Sequence, residues 1–227
     1  MDLETKDICQ FVEDMVTPFT MTLYSKRRSG KSFLTKNIVY EISKQNKADV
    51  IFCLSNTAHL TDDYNFLQPR FIKKFSEKFI ADVIAGQEKL PTKKRPHILI
   101  IIDDCVGNST NKKESSVNSS IISEIFMTGR HYNISLIFLN QSVTNSTSTS
   151  QRNNSDYSLF SKLNKQQLEN MYDALPLPIN KNEFTSTIYK NTTDFKFVVF
   201  DHSSQSSNIS EFMHSLKASP KNYFIKQ

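Results

Sequence analysis

Phe19-Thr20-Met21-Thr22-Leu23-Tyr24-Ser25-Lys26-Arg27-Arg28-Ser29-Gly30-Lys31-Ser32 is the stretch that decides how the rest of this chain is read. Residues 19–24 form an apolar run that reads as a strand. Residues 25–32 approximate the phosphate-binding pattern G-x-x-x-x-G-K-[ST]. Leu34, Ile38 and Ile42 follow at four-residue spacing, which predicts a helix to about Lys44. Strand, loop and helix in this order aim backbone N–H groups at an anion at the helix N-terminus. The residues expected to hold the nucleotide are Ser25, Lys26, Arg27, Arg28, Ser29, Gly30, Lys31, Ser32 and Phe33. Lys31 would reach the β/γ-phosphates and the Ser32 hydroxyl would hold Mg²⁺. Ser25 stands where the pattern has its first glycine; it fits if its φ stays negative. The bland alternative is a chance Gly-Lys-Ser ahead of a helix.

A second motif weakens that alternative. Ile98-Leu99-Ile100-Ile101-Ile102-Asp103-Asp104 puts five branched apolar residues before two carboxylates. Such a run reads as a strand buried on both faces, as in a parallel sheet. Ligands of open α/β sheets bind at the carboxyl ends of the strands. Asp103 is therefore expected to hold Mg²⁺ opposite Ser32, with Asp104 polarising the attacking water. The competing reading is a strand-ending Asp pair that caps a turn.

A third strand, 133–141, ends in Gln141, placed to sense a γ-phosphate or orient water. Ahead of it lies Gly129-Arg130-His131. Arg130 reads either as a cation reaching a neighbouring subunit's nucleotide or as a charge complementing a helix end.

The chain has 227 residues, no tryptophan, 17 Phe, 8 Tyr and a net charge of +5. One domain is the expectation, with an N-terminal helix in 1–17, a core over 18–201 and a tail over 202–227. Between Arg70 and Arg95, eight cations face only Glu77, Asp82 and Glu88, an excess equal to the whole net charge. This stripe fits a polyanion partner or, more blandly, a solvated helix face. Cys9, Cys53 and Cys105 lack metal-ligand spacing and are expected to be reduced thiols in a cytosolic setting. No signal peptide or membrane span is expected.

Further elements read from the pattern are a helix carrying Ile8, Phe11, Val12 and Met15 and a strand at 49–54. A helix over 71–86 carries the lysines on its exposed face. Polar loops cover 107–120, with Lys112 and Lys113, and 142–154. A helix at 121–127, a strand at 157–160, a helix at 165–175, a strand at 195–200 and a tail helix at 209–216 complete the order. The alternation predicts α/β architecture with a mostly parallel sheet flanked by helices.

Four of these segments, in this order, resemble the DNA-packaging ATPases of large double-stranded DNA viruses and virophages within the FtsK–HerA superfamily. They are the loop to Lys31-Ser32, the Ile-Asp-Asp end of 98–104, the run Gly129-Arg130-His131-Tyr132-Asn133-Ile134-Ser135 leading to Gln141, and Arg152-x-Asn154 before an aromatic strand. The resemblance covers about residues 15–201. It implies a RecA-like P-loop ATPase core with strand order 5-1-4-3-2, counting the first five strands along the chain. It also implies an ATP-hydrolysing translocase that packages double-stranded DNA, as a homo-oligomeric ring of five or six subunits with ATP between them. Arg130 would be the arginine finger acting in trans, with Arg152 as competitor, and Gln141 the sensor. ATP and Mg²⁺ would be bound, a capsid or portal vertex component would be a partner, and the host cytoplasm (viral factory) and virion would be the locations. Departures are Ser25 for Gly and Asp104 for the commoner Glu. Lysines 112 and 113, or the basic helix, are expected near the DNA pore. Alternatives are a P-loop small-molecule kinase and a non-hydrolysing nucleotide-binding assembly factor. A GTPase is disfavoured because Asn164-Lys165 and Asn180-Lys181 lack a following Asp.

Overall fold

A computed structural model describes residues 1–103, 105, 120–141, 147–174, 179–206, 208–221 and 223–225. Strands β1 (Thr20–Ser25), β2 (Val50–Ser55), β3 (Ile72–Lys73), β4 (Ile98–Asp103), β5 (Ile134–Asn140), β6 (Tyr157–Ser161), β7 (Lys196–Asp201) and β8 (Met213–Lys217) form one sheet. Their order is β3-β2-β4-β5-β1-β6-β7-β8. The first six are parallel, and β7 and β8 add antiparallel to the β6 edge. Reading the first five expected strands as β1, β2, β4, β5 and β6, their spatial order is the 5-1-4-3-2 expected from the resemblance.

Helices cover both faces. On one side, α1 (Ile8–Asp14) and α2 (Lys31–Lys44) pack on Met21, Leu23, Ile137, Leu139 and Val199. On the other, α3 (Glu77–Glu88) and α4 (Ser120–Thr128) cover β2, β4 and β5. On that side too, α6 (Lys165–Ala174) and α7 (Lys181–Asn191) cover Tyr24, Phe160, Val198 and Phe200. Successive strand residues point to opposite layers, as the two-residue period requires. Every residue of β1, β4 and β5 is buried, the signature of central parallel strands.

Four expectations need correction. The helix expected over 71–86 begins at Glu77, because Ser76 caps it by accepting from the Phe79 N–H at 3.2 Å. Ile72 and Lys73 instead pair with Cys53 and Leu54 as an edge strand. The tail helix expected over 209–216 stops at Phe212, the end of α8 (Ile209–Phe212), and the chain continues as β8, whose other side is bridged by Thr5 to Ser215. Within the loop expected at 142–154, α5 (Thr149–Asn153) forms on a Ser148–Gln151 capping box. Helix α7 was not expected; Asn180 caps it by accepting from the Glu183 N–H at 2.9 Å. The expected loop 107–120, with Lys112 and Lys113, lies almost wholly outside the described residues, as does Asp104. The three cysteines are free.

Candidate nucleotide site

Because β1, β4 and β5 are parallel neighbours, their carboxyl ends share one rim. The 25–32 loop, Asp103 and Gln141 therefore meet there, although they are widely separated in sequence. They line a cleft of about 520 Å³ together with Thr57, Leu60 and Tyr64 from the segment after β2. This is within the size range of small-ligand sites.

The loop solves its missing glycine in a specific way. Ser25 stays in the strand, paired in register with Ser161, so its backbone is extended rather than left-handed. The left-handed residues come later, at Arg28 (φ 58°) and Gly30 (φ 91°). Ser25 is fully buried and accepts a 2.8 Å hydrogen bond from the Ser29 hydroxyl. The serine thus braces the loop from beneath.

Gly30 is the N-cap of α2, and the first intrahelical bond runs from the Leu34 N–H to its carbonyl at 2.9 Å. The N–H groups of the first turn are left for an anion. Lys31 Nζ stands 3.6 Å from Asp103 Oδ1, each side chain only 11% exposed. The other carboxylate oxygen accepts from the Tyr64 hydroxyl at 2.6 Å. Burial and the Asp103 charge push the Tyr64 phenol well above its usual pKa, so it remains a donor. Arg27 Nε donates to Gln141 Oε1 at 3.1 Å, tying the loop to the end of β5. Lys26, Arg27, Arg28 and Lys31 line the cleft against Asp63 and Asp103. The balance favours a polyanionic ligand.

The structure thus brings together Lys26, Arg27, Arg28, Gly30, Lys31, Ser32, Phe33, Asp103 and Gln141. Ser25 and Ser29 lie beneath the loop. Arg130 is not in the cleft. It sits exposed on the turn Gly129–Tyr132 that leads into β5, hence on the opposite rim of the sheet. Arg152, on α5, donates to the Thr147 carbonyl at 2.6 Å and to Thr149 Oγ1 at 3.1 Å. Tyr64 was missed by sequence reasoning; it carries no motif and reaches Asp103 only through the parallel pairing of β2 with β4.

Oxygen donors are what Mg²⁺ requires, and Ser32 and Asp103 both line the cleft beside Lys31. Among the described residues no group of three or more His, Cys, Asp or Glu is placed to hold a metal.

A family model described as Poxvirus A32 protein matches residues 10–190. The uncharacterized protein L437 of Acanthamoeba polyphaga mimivirus is 24% identical over 225 residues, covering 92% of this chain and 76% of that protein. Among solved structures, the genome packaging NTPase B204 of Sulfolobus turreted icosahedral virus 2 in complex with ATP-γ-S superposes with a TM-score of 0.61 at 20% identity. The match covers 85% of this chain and 96% of that one. Its sulfate complex gives 0.65 at 18% identity, covering 92% and 100%. The pCW3 conjugation coupling protein TcpA gives 0.59 at 12% identity, covering 99% of this chain and 70% of that one. At these identities the likeness is one of fold: a P-loop ATPase core.

Proposed function

Because the chain belongs to the poxvirus A32 protein family, a family of genome-packaging ATPases, we propose that it is an ATP-driven motor that moves double-stranded viral DNA into a capsid. The observation that carries this is the 3.6 Å approach of Lys31 Nζ to Asp103 Oδ1 at the N-terminus of α2, inside a cation-rich cleft. In this reading residues 1–227 make one P-loop domain.

Phosphoryl transfer to water needs mainly positioning and charge stabilisation. The N–H groups of the loop and of the first turn of α2 hold the phosphates. Lys31 offsets charge on the β- and γ-oxygens. Ser32 and Asp103 would hold Mg²⁺, which would supply positive charge against the developing charge of the phosphates. Asp104 takes the attacking water, and Gln141, held by Arg27, reports the γ-phosphate to the loop. Arg130 lies on the far rim, so a nucleotide it touches belongs to a neighbouring copy; this supports a ring in which it acts in trans. Arg152, engaged by Thr147 and Thr149, is the weaker candidate.

The DNA side is read from charge. Lys74, Lys78, Lys89, Lys93 and Lys94 are exposed, and they fit backbone contact without base readout. Action in the host cytoplasm and docking to a capsid vertex component belong to the same proposal. No helix among the described residues is long and apolar enough to cross a membrane.

The test is ATP turnover with and without duplex DNA. Wild type should be stimulated by DNA, and Lys31→Ala should lose about 10²–10³-fold, the scale of removing one preorganised charge-stabilising donor. Mixing Lys31→Ala with Arg130→Ala subunits should restore part of the activity. Turnover indifferent to DNA, accompanied by a phosphorylated small molecule, would replace the motor with a kinase.

A further inference from the structure

The turn from α7 into β7 runs against the preferences of its own residues. The Lys196 N–H donates to the Thr193 carbonyl at 3.1 Å. The two residues between them, Asp194 and Phe195, have φ of 53° and 57°. Two left-handed central residues mark a type I′ turn, whose second central place normally goes to glycine or asparagine. Here it holds phenylalanine, a bulky residue for which positive φ is an outlier. Lys162, the residue after β6, is also left-handed, at φ 50°. Strain of this kind persists only where the surroundings enforce it, and it gathers at ligand sites. The enforcement is visible: the Phe195 carbonyl accepts from the Ala218 N–H at 3.1 Å, and Asp194 is ion-paired with Lys217.

The strain secures the position of the ring. A Cβ built on Gly30 would lie 3.1 Å from Phe195 Cδ1, so the ring touches the glycine that caps α2. Yet Phe195 is 48% exposed, and Lys162 Nζ stands 5.1 Å from its ring centroid. Core packing does not account for an aromatic ring held half open beside the phosphate loop at a backbone cost.

Topology supplies the direction. Asp103 and Gln141 come from strands on one side of β1, and β6 and β7 lie on the other. A triphosphate whose terminal phosphate faces Asp103 and Gln141 crosses the N-terminus of α2. Its nucleoside end then leaves toward β6 and β7, where Phe195 stands. The geometry points to Phe195 as the platform on which the base of the bound nucleoside triphosphate stacks. This rests on the loop being the triphosphate site. Phe33, 43% exposed in the cleft itself, is the competing platform.

Calorimetric titration separates the two ends of the ligand. ATP probes the whole nucleotide and inorganic tripolyphosphate probes the phosphates alone, with wild type, Phe195→Asn, Phe195→Tyr and Phe33→Ala compared. Asparagine tolerates the left-handed backbone, so Phe195→Asn removes the ring without adding strain; a thermal melt checks its fold. The expected result is about a tenfold loss of ATP affinity in Phe195→Asn, the scale of one base–aromatic stack. Tripolyphosphate binding should be unchanged, and Phe195→Tyr should bind ATP as wild type does. Unchanged ATP affinity in Phe195→Asn overturns the assignment. So does a base-dependent loss confined to Phe33→Ala, or a parallel loss of both ligands, which would make Phe195 a brace for the loop. Failure of wild type to bind either ligand would instead sink the triphosphate reading of the loop.

Discussion

At the scale of single residues, Ser25 shows why departure from a motif is not loss of the motif. The pattern's glycine serves a turn, and here the turn has moved to Arg28 and Gly30. What remains at position 25 is a strand residue whose hydroxyl accepts from Ser29 at 2.8 Å in a fully buried setting. Restoring the glycine should therefore harm rather than repair. Ser25→Gly loses a buried hydrogen bond and adds unfolded-state freedom in a strand, together about 1–2 kcal/mol. Denaturant unfolding should show that loss, with ATP affinity no better than wild type. A gain in ATP affinity would mean that the serine does limit phosphate binding.

Among the elements, those written in strong local patterns were legible. The branched run at 98–102, the strand–loop–helix over 19–44 and the strand expected over 133–141 are legible from sequence because central parallel strands are apolar on both faces; the last forms as Ile134–Asn140. The same property hid β8. Met213, His214, Ser215 and Leu216 are all buried, so no in–out alternation betrays a strand, and the four-residue spacing of Phe212 and Leu216 imitates a helix. The pairing of β8 with β7 is between consecutive strands, but the bridge from Thr5 to Ser215 on its other side comes from the opposite end of the chain. Tyr64 was invisible for a like reason: its function is a contact with Asp103, not a pattern. Gly129 belongs to this scale, since it sits where α4 hands over to β5. Its φ is unremarkable, but a Cβ there would meet the Ile134 carbonyl oxygen and Ile125 Cγ2, each at 3.1 Å. The oxygen is backbone and cannot swing aside. Gly129→Ala should push α4 away from the sheet and cost about 1–3 kcal/mol, the usual scale of overpacking. A melt within error of wild type would show that the junction is looser than its spacing implies.

Across the whole molecule, three imidazoles, His97, His202 and His214, sit on or beside the sheet with pKa values lowered by burial. His214 on β8 is 2% exposed and lies 5.4 Å, ring to ring, from Phe11 of α1. Neither ring nitrogen has a hydrogen-bond partner among the described residues. Burial, helped by the Lys6 charge and opposed by Asp14, pulls its pKa from 6.5 down to about 4. Burial lowers His97 and His202 in the same direction. Between those pH values the unfolded chain binds protons that the folded chain refuses, so stability falls as pH falls. The contribution is whole above pH 6.5 and gone near pH 4, with His214 alone responsible for on the order of 3 kcal/mol. The upper part of this window, from pH 6.5 to about 5, lies above the usual carboxylate range, which separates the effect there from ordinary acid unfolding. His214→Phe keeps an aromatic ring against Phe11 and removes the proton site. Its melting temperature should equal or exceed wild type at pH 7, where two unpartnered nitrogens are exchanged for carbon. The drop between pH 7 and pH 5 should shrink, because the unfolded state no longer gains a proton there. Parallel pH profiles for the two proteins would mean that His214 is solvated in the folded state, and that the seam joining β8 to the N-terminal helix is open to water.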